Sequence, residues 1–128
     1  MNYTGVIIEE SLTDTSVLKK VHIVSTEVEK VTKKHQSKVP QWTLHTVEIL
    51  ADKAKQIAEE LSKALVGDAS WYADFKNDTH HYIVFKNKVF FIDRRSKKEY
   101  DEAKSYGLSL GIPEHQVDFH PDVEEWKR

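Results

Sequence analysis

Residues Trp71–Arg94, WYADFKNDTHHYIVFKNKVFFIDR, predict three consecutive antiparallel β-strands, around which the other elements are arranged. Aromatic and β-branched residues fill 71–75, 81–85 and 89–92, as is typical of strands. The segments between them, KNDT and NK, carry asparagine and aspartate, which tolerate turn geometry. Short turns between strands form hairpins, so the stretch predicts a three-stranded meander.

The turns also predict a register for this meander. A first hairpin that closes around residues 77–78 places Asp74 opposite His81, and a second that closes around 87–88 places Arg94 opposite the same histidine. Because side chains alternate along a strand, the register assigns each residue to a face. One face, here called the Trp71 face, carries Trp71, Ala73, Phe75, Tyr82, Val84 and Phe91. The other, the Tyr72 face, carries Tyr72, Asp74, His81, Ile83, Phe85, Phe90, Ile92 and Arg94.

Three further segments predict strands. Gly5–Glu9, Val21–Val31 and Trp42–Leu50 are rich in apolar and β-branched residues. In the second of them the apolar alternation changes phase, which predicts a β-bulge near Val24 or Ser25. The sheet is therefore expected to contain five or six strands.

Two helices follow from apolar stripes and capping residues. The first begins at Asp52, a good N-cap, and ends at Gly67. Its stripe consists of Ala54, Ile57, Ala58, Leu61, Ala64 and Leu65. The second begins at Ser96, which matches a capping box with Glu99, and ends at Gly111. Its stripe consists of Tyr100, Ala103, Gly107 and Leu110.

These elements predict a single α+β domain over residues 1–128, with two layers and a mainly antiparallel sheet. Both faces of the meander are apolar, which a sheet with one side in water does not need. We expect both helices to pack on the Trp71 face, because that face holds the larger side-chain volume. The apolar Tyr72 face also needs a cover, which could be a helix, the N-terminal strands, a partner chain or a ligand, and the sequence alone does not choose among them.

Composition limits the possible functions. The chain has 19 Lys and Arg against 21 Asp and Glu, so it lacks the basic field that drives nonspecific nucleic-acid binding. It has no cysteine, which excludes disulfides, thiolate catalysis and iron–sulfur sites. The N-terminus, MNYTGVIIEE, lacks the pattern of a signal peptide, and no run approaches the roughly 20 apolar residues of a membrane helix. We expect a soluble cytoplasmic protein, away from membranes and without a cofactor.

Seven histidines raise the question of a metal site. The densest group of nitrogen and oxygen ligand types is His115, Asp118, His120 and Asp122. Its spacing matches no established zinc signature. We therefore predict no bound metal, with His115, Asp118 and His120 as a weak candidate.

The main polar group lies on the Tyr72 face. In the predicted register a carboxylate, Asp74, and a guanidinium, Arg94, both face His81. Such a group could orient an imidazole for acid–base chemistry or hold an anion. We favour the alternative, an ion-paired patch at the end of a sheet, because no nucleophile accompanies it.

A family resemblance rests on three segments, WTLHTVEI (42–49), SWYADFKNDTHHYIVFKNKVF (70–90) and YDEAKSYGLSLGIPEHQVDFHP (100–121). In these segments the chain resembles a family of small uncharacterised prokaryotic proteins, for which the resemblance implies no established activity. Members of such families sometimes carry a uracil-DNA glycosylase label. The water-activating motif of that enzyme, Gly-Gln-Asp-Pro-Tyr, has no counterpart here, and His120-Pro121-Asp122 matches only the first two residues of its His-Pro-Ser-Pro loop.

We predict a binding or interaction module. If both helices cover the Trp71 face, the Tyr72 face presents aromatic rings rimmed by charge. Its ligand could be a second copy, a small molecule or a nucleobase, and a homodimer is the simplest case. A small enzyme or a nucleic-acid-related protein is the alternative. The predicted binding residues are Tyr72, Asp74, His81, Phe85, Phe90 and Arg94.

Overall fold

The computed structural model describes residues 1–30, 41–66 and 71–112. Its strands are β1 (Tyr3–Ile8), β2 (His22–Lys30), β3 (Gln41–Ile49), β4 (Tyr72–Lys76), β5 (His80–Phe85) and β6 (Lys88–Asp93). They form one sheet in the order β2-β3-β1-β4-β5-β6, and each neighbouring pair is antiparallel. The N-terminal strand β1 therefore lies inside the sheet, between β3 and β4.

Two helices accompany the sheet, α1 (Ala54–Ala64) and α2 (Lys97–Ser109). Two short 3-10 helices, Glu9–Ser11 and Thr15–Lys20, connect β1 to β2. The predicted α+β class with an antiparallel sheet is thus confirmed. Within the described part of the chain, no helix is long and apolar enough to cross a membrane.

The core consists of two clusters, one on each face of the sheet. The cluster on the Trp71 face joins α1 to strands on both sides of β1 through Ile57, Ala58, Leu61, Ile7, Val47, Phe75 and Val84. The cluster on the Tyr72 face joins α2 to the meander through Tyr100, Ala103, Tyr72, Ile83, Phe85 and Ile92, with Ile112 beyond the helix.

The two helices therefore lie on opposite faces of the sheet, and the expectation that both pack on the Trp71 face is wrong in this respect. The physical reason is already visible in the meander, since both of its faces are apolar. One amphipathic helix on each face removes both surfaces from water, whereas two helices on one face would leave the other exposed.

Both hairpins of the meander are shifted by two residues from the predicted register. Asp74 lies opposite Ile83 rather than His81, and Ile83 lies opposite Phe90. The first turn lies at residues 78–79 instead of 77–78: the Asn77 N–H donates to the His80 carbonyl, and the Asn77 side chain accepts from the N–H groups of Thr79 and His80. In the second turn Asn87 adopts a φ of 61°. A shift of two residues keeps every side chain on its face, so the predicted faces are correct.

Phe91 shows that belonging to the Trp71 face is not enough for burial. The ring was expected in the core, but it is 51% exposed. It lies on the outermost strand β6 and stacks on His80, with ring centroids 4.6 Å apart. Residues of α1 bury the inner strands of this face, and Phe91 lies beyond that cluster.

The predicted bulge and one of the two predicted caps are confirmed. The register between β2 and β3 shifts between Ile23 and Ser25, which makes Val24 the extra residue. Ser96 caps α2 by accepting from the Glu99 N–H at 3.2 Å, although the Glu99 carboxylate accepts from the backbone N–H of Asp93 instead of returning to Ser96. The Asp52 cap is wrong, because α1 begins after residue 53 without a side-chain cap.

Candidate functional site

Most of the predicted binding residues lie inside the protein, under α2. Four of them are buried: Tyr72, Asp74, His81 and Phe85. Phe90 and Arg94 are partly buried. The covering side chains come mainly from α2, whose Tyr100 and Ala103 belong to the same cluster. Tyr72, Asp74, His81 and Phe85 are therefore not available as a binding surface in this structure.

Asp74 and His81 nevertheless meet, by a diagonal contact between β4 and β5. His81 Nε2 lies 2.7 Å from Asp74 Oδ2, and His81 Nδ1 lies 3.1 Å from the Tyr100 hydroxyl. When the imidazole is neutral, Nε2–H donates to the carboxylate and Nδ1 accepts from the phenol. Asp74, His81 and Tyr100 are each no more than 3% exposed, and we call them the closed chain.

The phenol of the closed chain is held in its neutral form. Burial is the largest cause and raises the pKa of Tyr100, while Arg94 opposes the increase. Arg94 itself donates from Nη1 to the Asn77 carbonyl at 2.6 Å. A neutral Tyr100 can continue to donate to His81, so the group is a satisfied polar network inside an apolar cluster. Because the closed chain has almost no access to solvent, its hydrogen bonds stabilise the packing of the core.

A glycine on β1 allows the strand that carries Asp74 to approach closely. A Cβ at Gly5 would lie 2.1 Å from the Asp74 carbonyl oxygen and 2.6 Å from the Phe75 Cα. No side chain fits in that space. Gly5 therefore permits the close pairing of β1 with β4, the strand that carries Asp74.

A second carboxylate–imidazole–hydroxyl chain lies at the other end of the sheet. Glu9 Oε1 lies 3.0 Å from His45 Nε2, and His45 Nδ1 lies 2.9 Å from Thr26 Oγ1. His45 is buried, but the Glu9 side chain is 46% exposed and Thr26 is exposed. We call Glu9, His45 and Thr26 the open chain.

Glu10, beside the open chain, fixes β3 in place. Its carboxylate accepts from the Thr43 N–H at 2.6 Å and from the Thr43 hydroxyl at 2.7 Å. Burial by itself would raise the pKa of Glu10, but these hydrogen bonds and the nearby His45 outweigh it, so that pKa is lowered. The sequence analysis missed this cluster. The available signal was two glutamates directly after an apolar strand, and the missing fact was that β1 pairs with β3.

The strand that the open chain reaches, β2, is exposed along its whole length. All nine residues from His22 to Lys30 are exposed, although the strand pairs with β3 throughout. Its valines are prominent, since Val24 is 59% and Val28 is 60% exposed. Side chains on both faces of this strand thus meet solvent.

The outer backbone groups of β2 can be identified from the Glu10 contact. Thr43 donates its N–H to Glu10, on the side of β3 that faces away from β2. Thr43 and Val28 are opposite each other, so they form a pair without mutual backbone hydrogen bonds. In such a pair the N–H and C=O groups point away from the partner strand. The backbone groups of Val28, and by alternation those of Thr26, therefore point outward. We call this row the β2 edge.

The predicted absence of a metal site can be compared with the structure only over the described residues. Among residues 1–30, 41–66 and 71–112, no three His, Asp or Glu side chains come together as a metal site. The weak candidate formed by His115, Asp118 and His120 lies outside the described residues.

Comparisons with family models, with curated proteins and with solved structures find no match to this chain. The resemblance to a family of small prokaryotic proteins therefore stays a prediction. The functional proposal below therefore rests on the contacts and the exposure of the described residues.

Proposed function

We propose that the protein is a binding module that recognises another polypeptide by strand addition along the β2 edge. One observation carries the proposal: a nine-residue strand at the end of the sheet is exposed at every position. Outward N–H and C=O groups form a template for a further strand, and the side chains on either face supply specificity. We keep the cytoplasm as the proposed location, because a chain without cysteine fits a reducing compartment.

Two of the features that usually protect an edge strand lie near the ends of β2. Natural edges are commonly blunted by lysine, proline, bulges or a covering element. In β2 the bulge lies at Val24 and the lysine at Lys30. Between them, residues 25–29 continue the regular ladder with β3 and contain no lysine or proline, and their charged residues are Glu27 and Glu29. This central part supports strand addition best.

The protein is still proposed to be a binding module, but the binding surface is now the β2 edge instead of the Tyr72 face. The Tyr72 face supported a binding role only while it was expected to be open, and α2 occupies it. β2 combines exposed apolar side chains with backbone groups that point outward, and among the described strands it pairs only with β3. It is the better supported surface.

A displayed library of nine-residue peptides tests the proposal on the full chain. Native protein is compared with Val24→Lys/Val28→Lys, which places charge on the β2 edge. The matched control is Ser105→Lys/Leu108→Lys, which adds the same charge to exposed positions of α2. We expect peptides rich in β-branched residues to be enriched on the native protein and the control, and lost on the edge variant. Equal enrichment on all three proteins would contradict strand addition.

A small enzyme is the second candidate, and the open chain is the observation that favours it. A hydroxyl linked through an imidazole to a carboxylate is the arrangement that activates oxygen nucleophiles. Thr26 Oγ would attack an ester carbonyl while its proton passes to His45 Nδ1, and His45 would return that proton to the leaving alcohol or phenol. A water molecule would then release the acyl group as the acid and restore the Thr26 hydroxyl. Hydrolysis of p-nitrophenyl acetate tests this. Activity that disappears in both Thr26→Ala and His45→Ala supports it, and rates equal to those of the native protein exclude it.

A further inference from the structure

We infer that the partner of the β2 edge is a second copy of this chain, paired antiparallel through β2 about a two-fold axis at Thr26. The inference rests on the proposed function, since it names the partner of the same edge. It would join two six-stranded sheets into one continuous sheet.

Backbone geometry permits this pairing. The N–H and C=O groups of Thr26 point outward, as deduced from the Thr43 contact. With the axis at Thr26 and perpendicular to the sheet, these groups meet the same groups of the second copy and exchange two hydrogen bonds. The axis also keeps like faces of the two sheets on the same side, so α1 of each copy lies on one side of the joined sheet.

The side chains of β2 complement their own sequence in this register. Around the axis Ser25 lies opposite Glu27, and Val28 of each copy lies beside Val24 of the other, where the bulge ends the regular ladder. Each of these contacts occurs twice, once on each side of the axis. The two most exposed valines of β2 cover each other, and the serine hydroxyl can donate to a carboxylate.

Registers shifted towards the C-terminal end of β2 are less favourable because they bring carboxylates together. An axis at Glu27 places that residue opposite its own copy. An axis at Val28 places Glu27 opposite Glu29 twice. Like charges directly opposite each other destabilise a strand pair. The register at Thr26 separates the acidic residues and also pairs the valines.

The open chain prepares the centre of this interface. Thr26 is held by His45 at 2.9 Å, and His45 by Glu9 at 3.0 Å. Beneath them Glu10 holds β3 through Thr43. A strand that is fixed before it meets its partner loses less conformational entropy on binding. This gives the open chain a positioning role at the two-fold axis.

Sedimentation velocity on the full native chain tests the association. We expect a concentration-dependent species of twice the 14.9 kDa of one chain. Val24→Lys/Val28→Lys should weaken association roughly tenfold or more by opposing like charges across the axis. Ser105→Lys/Leu108→Lys should leave it unchanged. Circular dichroism confirms that each variant is folded. A native chain that stays monomeric up to about 1 mM, or a dimer that the edge variant leaves intact, would overturn the inference.

Cross-linking tests the register independently of the lysine variants. The chain has no cysteine, so one substitution introduces one thiol per copy. Under mild oxidation Thr26→Cys should form a covalent dimer, because the axis brings its two copies within disulfide distance. Val28→Cys and the exposed helix variant Ser105→Cys should form far less. Preferential cross-linking of Val28→Cys would overturn the Thr26 register.

The outcomes also separate this inference from the proposed function. A monomer that binds displayed peptides through the β2 edge would keep strand addition and exclude the second copy as partner. A monomer that binds none through that edge would overturn both.

Discussion

The closed chain and the open chain contain the same three chemical groups and differ in what surrounds them. In each, a carboxylate contacts an imidazole, and the imidazole contacts a hydroxyl, at distances between 2.7 and 3.1 Å. The closed chain lies beneath α2, whereas the open chain begins at an exposed glutamate and ends on an exposed strand. Burial therefore separates a network that stabilises the core from one that orders a surface. The predictions below test that separation.

The largest difference is expected between the two carboxylates. Asp74→Ala should lower the free energy of unfolding by about 3 to 5 kcal/mol, because it leaves His81 without its buried partner. Glu9→Ala should lower it by less than about 1 kcal/mol, because water can replace an exposed carboxylate. Urea unfolding at neutral pH measures both. Similar losses would show that burial does not distinguish the two chains.

The hydroxyls should differ in the same direction by a smaller amount. Tyr100→Phe removes the hydroxyl next to a buried imidazole nitrogen and should cost about 1 to 3 kcal/mol. Thr26→Val keeps the β-branched shape on an exposed strand and should cost less than about 1 kcal/mol. The comparison is made at low protein concentration, so that self-association does not contribute. A larger cost for Thr26→Val than for Tyr100→Phe would contradict the conclusion that the closed chain, and not the open chain, stabilises the core.

The closed chain should also weaken the fold at alkaline pH. Because the pKa of Tyr100 is raised above its ordinary 10.0, the folded state holds that proton more tightly than the unfolded chain. The resulting stability is complete below pH 10.0 and is lost as the pH rises through the raised value. Tyr100→Phe should make this alkaline loss shallower. The remaining loss includes Tyr82, whose pKa burial also raises. An unchanged slope would contradict the assignment to Tyr100.

The smallest expected effect concerns acid pH and the surroundings of the open chain. The pKa of Glu10 is lowered from 4.5, so its contribution is present above that value and is lost as the pH falls through the lowered one. Glu10→Gln should reduce this acid loss in urea unfolding experiments. Asp93, whose pKa the bonds from Arg95 lower to about 2, titrates in both proteins and serves as an internal reference. If the native protein and Glu10→Gln lose the same stability as the pH falls, Glu10 does not contribute to the acid dependence.

The faces of the meander could be predicted from its sequence, whereas its register could not. Alternation depends only on whether two positions are an even number of residues apart, so it survives an error of two residues. Register depends on which residues form the turns. The observed turns, in which the Asn77 side chain accepts hydrogen bonds and Asn87 has a positive φ, differ from those predicted. The contact of Asp74 with His81 was anticipated, but it arises diagonally rather than between directly opposite residues.

Which surface is open could not be predicted, because it depends on contacts between segments far apart in the chain. The stripe of α2 was recognised, but nothing in its spacing states which sheet face it covers. The open chain joins Glu9, Thr26 and His45, which come from three separate elements. Their meeting requires β3 to pair with both β1 and β2. Local patterns do not encode such pairings.

The central position of β1 has a consequence for the order of folding. The hairpin of β2 with β3 and the meander of β4, β5 and β6 each join strands that are near in sequence. In contrast, β1 pairs with residues 44–49 and 74–76, so it closes two long loops at once. Loop closure costs entropy before the contacts repay it. We therefore expect β1, the first of the six strands in chain order, to be the last to join the sheet, between two parts that have already formed.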